Sequence, residues 1–383
     1  MKNKKTSYGA LSRIVRAIVL SLCCVAVAQT SLARHIGPGK ILVKSKFGGA
    51  IYGYDIDRNG TEGILAEMTQ LENGNVLSAV ETFDQNTGKI IAVLSKTENY
   101  DCDMVIGVFA NSAAIVMHEQ ATEKGVVKRP YRMVSPLSAN KYTGLWRPPD
   151  RQGRHDTNGI IWWGAVNQET PTTAFLDMVG YPVDVNYVFS SDVAKNTFGR
   201  FVALTQPALE PYNFPALAID TKTNIAVAAQ AESCTFGCNP EFGLVDLVSG
   251  KVSYFTGLGL GYINGIAVDS EDGIACTTTN SDGNVEFYDL KTQTGFAEDL
   301  PGGATGLQAG GDVEYDPIHK LFLVAQPIST TGPGSSIQVY DPKGNLVESV
   351  NNLNFGGYIA LNPKIRGGFV GSGKAGVLQS FTY

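Results

Sequence analysis

Charge is scarce in this chain. Asp, Glu, Lys and Arg make up 17% of its 383 residues, and the formal net charge is −6. Past the N-terminus no cluster of Lys or Arg appears, and binding a phosphate backbone needs one, which argues against nucleic acid as a partner. Histidine is rarer still, with His35, His118, His155 and His319 scattered along the chain. A histidine-driven nucleophile needs a partner group at hand, and no G-x-S-x-G elbow precedes a helical pattern, so Ser-His-Asp hydrolysis is not expected. Long apolar runs are missing after residue 33. A helical membrane span needs about 20 apolar residues, and no later segment supplies them.

The N-terminus is built differently. Lys2, Lys4, Lys5, Arg13 and Arg16 precede an unbroken apolar stretch, Ala17 to Ala28. Small residues then stand two apart at Ala26 and Ala28 and again at Ser31 and Ala33. This is the three-part pattern of a secretion signal, predicting residues 1–33 as a cleaved leader and a secreted or periplasmic mature chain. Cys23 and Cys24 leave with the leader, so Cys102, Cys234, Cys238 and Cys276 remain. In an oxidising compartment these can pair. A local Cys234–Cys238 loop closure is the first expectation and a Cys238–Cys276 link the alternative, with Cys102 read as a buried thiol. Zinc is less favoured, because no second cysteine pair stands at ligand spacing.

What the chain has in plenty is glycine, 43 residues without collagen period or low-complexity block. Scattered glycine reads as turn chemistry, hence many short strands. Repetition bears this out. PALAIDTKTNIAVAAQ (215–230), NGIAVDSEDGIACTTT (264–279), GDVEYDPIHKLFLVAQ (311–326) and GYIALNPKIRGGFVGS (357–372) share one plan: strand, polar turn, strand. Their marker residues Asp220, Asp269, Asp316 and Asn362 recur at a period of about 47. Between them lie second hairpins at 243–256, 284–298 and 336–349, each turning on an Asp. In Asp-x-x-x-Gly the carboxylate accepts hydrogen bonds from the turn backbone and Gly takes the positive φ. Alternating apolar and polar residues mark half-buried strands.

Two hairpins per period make the four-stranded blade of a β-propeller. Residues 34–383 are thus expected to form one all-β propeller of seven blades, or of six. The Gly376–Tyr383 strand closes the ring against N-terminal strands. In the looser N-terminal half, ETFDQNTGKIIAVLS (81–95) and the segment from Tyr52 to Ala66 read as first hairpins of blades. Residues 119–157 read as a long loop insertion.

The hairpins AIDTKTNIAVAA, VDLVSGKV and YDLKTQTGF resemble those of the extracytoplasmic propeller superfamily with NHL, YVTN and lactonase-like repeats. The resemblance runs over most of residues 40–383 but lies in generic blade motifs, so it implies a fold rather than an activity. The segment Asn264-Gly-Ile-Ala-Val-Asp269 is also similar to one in gluconolactonase- and regucalcin-like propellers. There the Asn opens an innermost strand and ligates a divalent metal in the central channel. The resemblance implies that role for Asn264, with a second copy at Asn158 and an acidic partner at Asp312. Asp312 departs from the pattern. Counted from the marker residues it stands one place out of register, and a one-residue slip turns a side chain to the other face.

If these ligands converge, a Ca²⁺ ion held by oxygens could polarise a lactone or ester carbonyl, with Glu314 or Asp312 as catalytic base. A second oxygen-rich segment, Asp55-Ile-Asp57-Arg-Asn59-Gly60, begins like a calcium loop. Ala66 stands where the closing Glu belongs, so a polar hairpin turn is the favoured reading. All three tryptophans fall between Trp146 and Trp163. Trp and Arg are enriched where proteins bind, which makes Trp146, Arg147, Arg151 and His155 candidate ligand contacts. Two functions follow: a monomeric binding or scaffold protein for a ligand or protein partner, or a calcium-type lactonase at the channel. The first is preferred, since no complete ligand set can be read from spacing.

Overall fold

The computed structural model describes residues 36–383 apart from 100–102, 110, 119, 122–126, 129–130, 147–158, 166–171, 180–184, 205–215, 230–240, 259–262, 280–282, 302–310, 327–334, 355–356 and 372–375. Residues 37–383 form one unit, and it is a seven-bladed β-propeller.

The first strand, β1 (Gly37–Lys44), belongs to the last blade. Blade 1 is β2 (Ala50–Ile56), β3 (Glu62–Gln70), β4 (Val76–Asp84) and β5 (Ile90–Asn99). Blade 2 holds β6 (Asp103–Val108), β7 (Ala114–His118), β10 (Tyr131–Val134) and β11 (Gly144–Trp146), with a small hairpin, β8 (Gln120–Ala121) and β9 (Val127–Lys128), interposed. Blade 3 has β12 (Gly159–Ala165), β13 (Thr172–Val179) and β14 (Val185–Asp192), and its outer edge is split into β15 (Thr197–Phe198) and β16 (Val202–Leu204). Blade 4 runs through β17 (Ala216–Asp220), β18 (Ile225–Ala229), β19 (Glu241–Asp246) and β20 (Val252–Thr256). Blade 5 is β21 (Ile263–Asp269), β22 (Ile274–Thr279), β23 (Asn284–Asp289) and β24 (Thr294–Asp299). Blade 6 follows with β25 (Val313–Asp316), β26 (Leu321–Gln326), β27 (Ser335–Tyr340) and β28 (Leu346–Leu353). Blade 7 takes β29 (Tyr358–Asn362), β30 (Gly367–Gly371) and β31 (Val377–Thr382), and completes itself with β1. Gly37 faces Thr382 and Lys44 faces Val377 in that antiparallel closure.

The inner strands β2, β6, β12, β17, β21, β25 and β29 touch in that order, and β29 returns to β2. They surround a central channel. Apolar residues fill the spaces between blades, as where Ala216, Phe242 and Val227 of blade 4 pack with Ile266, Ala275 and Tyr288 of blade 5.

The repeat owes its shape to its turns. On the inner hairpins Asp57, Asp220, Asp269, Asp316 and Asn362 each accept the N–H two residues on, at 2.8–3.2 Å. On the outer hairpins Asp84, Asp246, Asp289 and Asp341 do the same at 2.8–3.0 Å. In seven of these nine turns the fourth residue after the cap takes positive φ, as Gly88, Gly250 and Gly273 do, and after Asp341 the third, Gly344, does. Asn224, Gln293, Lys320 and Arg366 adopt the same conformation in sister turns, so the turn is kept where the glycine is not.

All these capped turns lie at one end of the blades, and most have four or five residues. At the other end run the second-to-third strand connections and the crossings between blades. The strand ends on that side are separated in sequence by eight to thirteen residues at 147–158, 205–215, 230–240, 300–312 and 327–334. The two faces of the ring therefore differ in how much sequence joins their strand ends.

Three sequence readings need correction. Residues 81–95 are β4 and β5, the outer hairpin of blade 1, not a first hairpin; both hairpins turn on the same Asp chemistry, so the turn alone does not tell them apart. Within 119–157, Tyr131–Val134 and Gly144–Trp146 are not insertion but the outer strands of blade 2. At four and three residues they are too short to show alternation. Cys276 is a free, buried thiol on β22, which removes the Cys238–Cys276 link. Cys102, Cys234 and Cys238 lie outside the described residues. No helix among the described residues is long and apolar enough to cross a membrane.

Candidate functional site: the polar sector of the channel

Two residues before its capping Asp or Asn, an inner strand usually carries alanine: Ala218, Ala267 and Ala360. Blades 1 and 6 break this rule with Asp55 and Glu314. The small side chain elsewhere lets neighbouring blades pack, so a carboxylate at that place must be met by donors.

Asp55 is met by two backbone amides. The Ile56 N–H donates to Oδ1 at 2.8 Å, and the Val108 N–H from β6 donates to Oδ2 at 2.7 Å. Asp312, at the head of β25, repeats the device. The Val313 N–H donates to its Oδ1 at 3.0 Å and the Ile359 N–H from β29 to its Oδ2 at 2.9 Å. Each carboxylate thus pins its own inner strand to that of the next blade. Tyr54 works across the ring closure: its hydroxyl donates to the Tyr358 carbonyl and accepts the Gly371 N–H at 2.7 Å.

Glu314 is met by a cation. Arg58, just beyond the Asp57 cap, brings Nη2 to 3.3 Å from Glu314 Oε2. This ion pair links blades 1 and 6 and passes over blade 7, which separates them in the ring. Burial pushes the Asp312 carboxyl up to about 7, against the two amides that favour its anion, and the charge of Asp55 adds to the rise. Burial likewise lifts Glu314 to about 8, opposed by Arg58 and reinforced by Asp312 and Asp55. Asp55 is raised for the same first reason, with Arg58 pulling the other way.

Asn264 lies on the adjacent strand. It is the extra residue of a β-bulge, for Ile263 faces Thr279 while Gly265 already faces Thr278. Gly265 passes so close to β25 that a Cβ there would stand 2.4 Å from Val313 N and 2.8 Å from Asp312 Cα. The Asn-Gly pair therefore does two structural jobs: it makes the bulge and allows the close approach. Tyr52 and Gly53 repeat the bulge on β2, at the same distance from the cap.

The sequence-derived metal set fares unevenly. Asn158 lies outside the described residues. Asn264 and Asp312 stand on neighbouring strands, but both Asp312 oxygens already accept amide hydrogens. Glu314 is turned to a guanidinium, a poor neighbour for Ca²⁺. Among the described residues no group of three or more His, Cys, Asp or Glu is placed to hold a metal ion. The Asp55–Gly60 segment is a hairpin turn: Asp57 caps it and accepts the Ser112 hydroxyl at 2.9 Å, while Asn59 accepts from Lys364 Nζ at 2.8 Å.

Trp146 as a ligand contact is also corrected. It is fully buried, 4.7 Å from Phe175 and 5.6 Å from Tyr131 by ring centroids. Its Nε1 donates to Ser191 Oγ at 3.4 Å. The indole closes the core between blades 2 and 3 because β11 ends there with its side chain turned inward. Arg147, Arg151 and His155 lie outside the described residues.

Sequence reading missed Arg58, Asp55, Tyr54 and Tyr358 as channel residues. The signal for Asp55 was present, as an acid in register with alanines. It also missed His118, whose Nδ1 shares a hydrogen bond of 2.5 Å with Asp103 Oδ1 across the β6–β7 pair of blade 2.

No family model matches the chain, and no curated protein matches it. The likeness to NHL and lactonase-like propellers rests on the blade pattern alone.

Proposed function

We propose that the chain is an exported binding propeller, holding a small ligand or a partner at the face that carries the long connections and at the channel mouth beneath it. The unequal division of chain between the two faces carries this reading. Capped turns of four or five residues reverse a strand with little chain to spare. Spans of up to thirteen residues are not needed for closure, and binding residues gather on such loops over a rigid scaffold. The polar sector from blade 5 through blade 1 begins under that face at the strand heads that carry Asp312, Tyr52 and Tyr358, and reaches Arg58 on the capped turn 57–61 at its far end.

A hydrolase at the channel is the lesser reading. Its two carboxyls are committed to amides and to Arg58, and water activation needs a base with a free lone pair facing substrate.

Library screening by thermal shift, followed by hydrogen exchange on each hit, tests the proposal. Protection is expected in 205–215, 230–240, 300–312 or the inner strand heads. Hits whose protection falls on capped turns other than 57–61, sparing the long connections and the channel, would overturn it. Turnover of lactones or esters that is lost in Glu314→Gln would favour the hydrolase instead.

A further inference from the structure

Arg58 is under-used by its own fold. Its side chain is only 10% exposed, yet its one ion pair is a single contact of 3.3 Å, to Glu314. Nε and Nη1 are buried and donate to no acceptor. Buried donors are ordinarily satisfied, and leaving guanidinium N–H groups without acceptors is costly. Glu314 provides the opening, with its side chain 23% exposed beside the guanidinium. The capping and stapling bonds that fix this region use Asp55, Asp57, Asp312 and Tyr54 and leave Arg58 aside.

Charge decides what would complete the site. Asp55 and Glu314 already offer carboxyl oxygens to the one cation, so an anion would have to compete with them for it. A free metal cation would meet Arg58. A neutral group meets neither obstacle. An acceptor oxygen satisfies Nε or Nη1, and a donor hydrogen next to it reaches the open edge of Glu314.

We propose that Arg58 and Glu314 form a subsite for an uncharged ligand group with an acceptor oxygen beside a donor hydrogen, supplied by a polyol or by a carboxamide. This deepens the binding-propeller reading and rests on it.

The Arg58 Nε–H signal in a ¹⁵N-labelled full chain reports the subsite directly. Titration with mannitol and, separately, with N-acetylglycinamide is expected to give a saturable shift with at least one, with a dissociation constant on the order of millimolar. Mannitol alone identifies a polyol, N-acetylglycinamide alone a carboxamide. A shift with acetate only, or a non-saturating drift with every probe, overturns the proposal. Arg58→Lys assigns the signal and abolishes the response. Should that variant not fold, the isosteric Glu314→Gln assigns it by perturbation and weakens binding by about threefold to tenfold; unchanged affinity in Glu314→Gln overturns the proposal. Ligands that protect the long connections while leaving this signal unmoved defeat the subsite and keep the binding reading.

Discussion

Gln293 sits where a glycine would be at ease. It follows the capping Asp289 by four residues and has φ of 58°, like Gly273 after Asp269 with φ of 71°. A side chain in this conformation is strained by about 1–2 kcal/mol, while glycine gives back part of the gain as lost chain freedom. Gln293→Gly is therefore expected to raise stability by about 0.5–1 kcal/mol. The converse change isolates the backbone. Nothing lies within 4 Å of a Cβ built on Gly273, so Gly273→Ala should cost about 1 kcal/mol through φ alone. Urea midpoints of the two variants check both. Residues of this kind were legible because the Asp-x-x-x-Gly turn is local. Arg58 and Glu314 were not, since they are 256 positions apart and meet only after the ring closes. Asn264 shows a third case: the motif was visible, and its use in a bulge depended on the neighbouring strand.

At the scale of elements, the crossing from β1 to β2 is clamped by two buried acids on blade 1. Glu67 accepts the Phe47 and Gly49 N–H groups at 2.9 and 2.8 Å, and Glu81 accepts the Lys46 N–H at 3.0 Å. Burial lifts Glu81 to about 7, with the Lys46 amide opposing and Glu67 adding. The folded chain then holds a proton on Glu81 that the unfolded chain has released. Stability from this group is full below about pH 4.5 and falls as pH rises through about 7. Glu81→Gln keeps an acceptor oxygen for Lys46 and removes the titration. The variant should match the parent at pH 4.5 and exceed it by about 1–3 kcal/mol at pH 8. Denaturation at the two pH values tests this; an equal difference at both would show that the clamp does not titrate. Strand length governed what could be read at this scale. The β17–β18 and β21–β22 hairpins announce themselves by alternation, whereas β10 and β11 are too brief and are set apart by the β8–β9 hairpin.

For the whole molecule, the period gave the blade and ring closure sets the count at seven. Closure joins the two ends of the described domain through a strand pair, so blade 7 is complete only when β1 has docked on β31. Seams of this kind remove the free edges that an open ring of sheets would expose. The seam is reinforced from both sides: the Ile41 N–H donates to Ser380 Oγ at 3.1 Å, the Ser45 N–H donates to the Gly376 carbonyl at 3.1 Å, and Tyr54 ties β2 to blade 7. Gly39 belongs to the same fit, since a Cβ there would stand 2.0 Å from Ser380 Oγ. Deleting residues 37–44 strips β31 of its partner and leaves its N–H and C=O groups open. The truncated chain should melt well below the parent and associate edge to edge, as multi-angle light scattering would show. Supplying the 37–44 segment as a free peptide should restore a monomer, because the unpaired edge accepts an antiparallel strand from any source of matching register. A truncated chain that stays monomeric and melts like the parent would mean that blade 7 holds without its fourth strand.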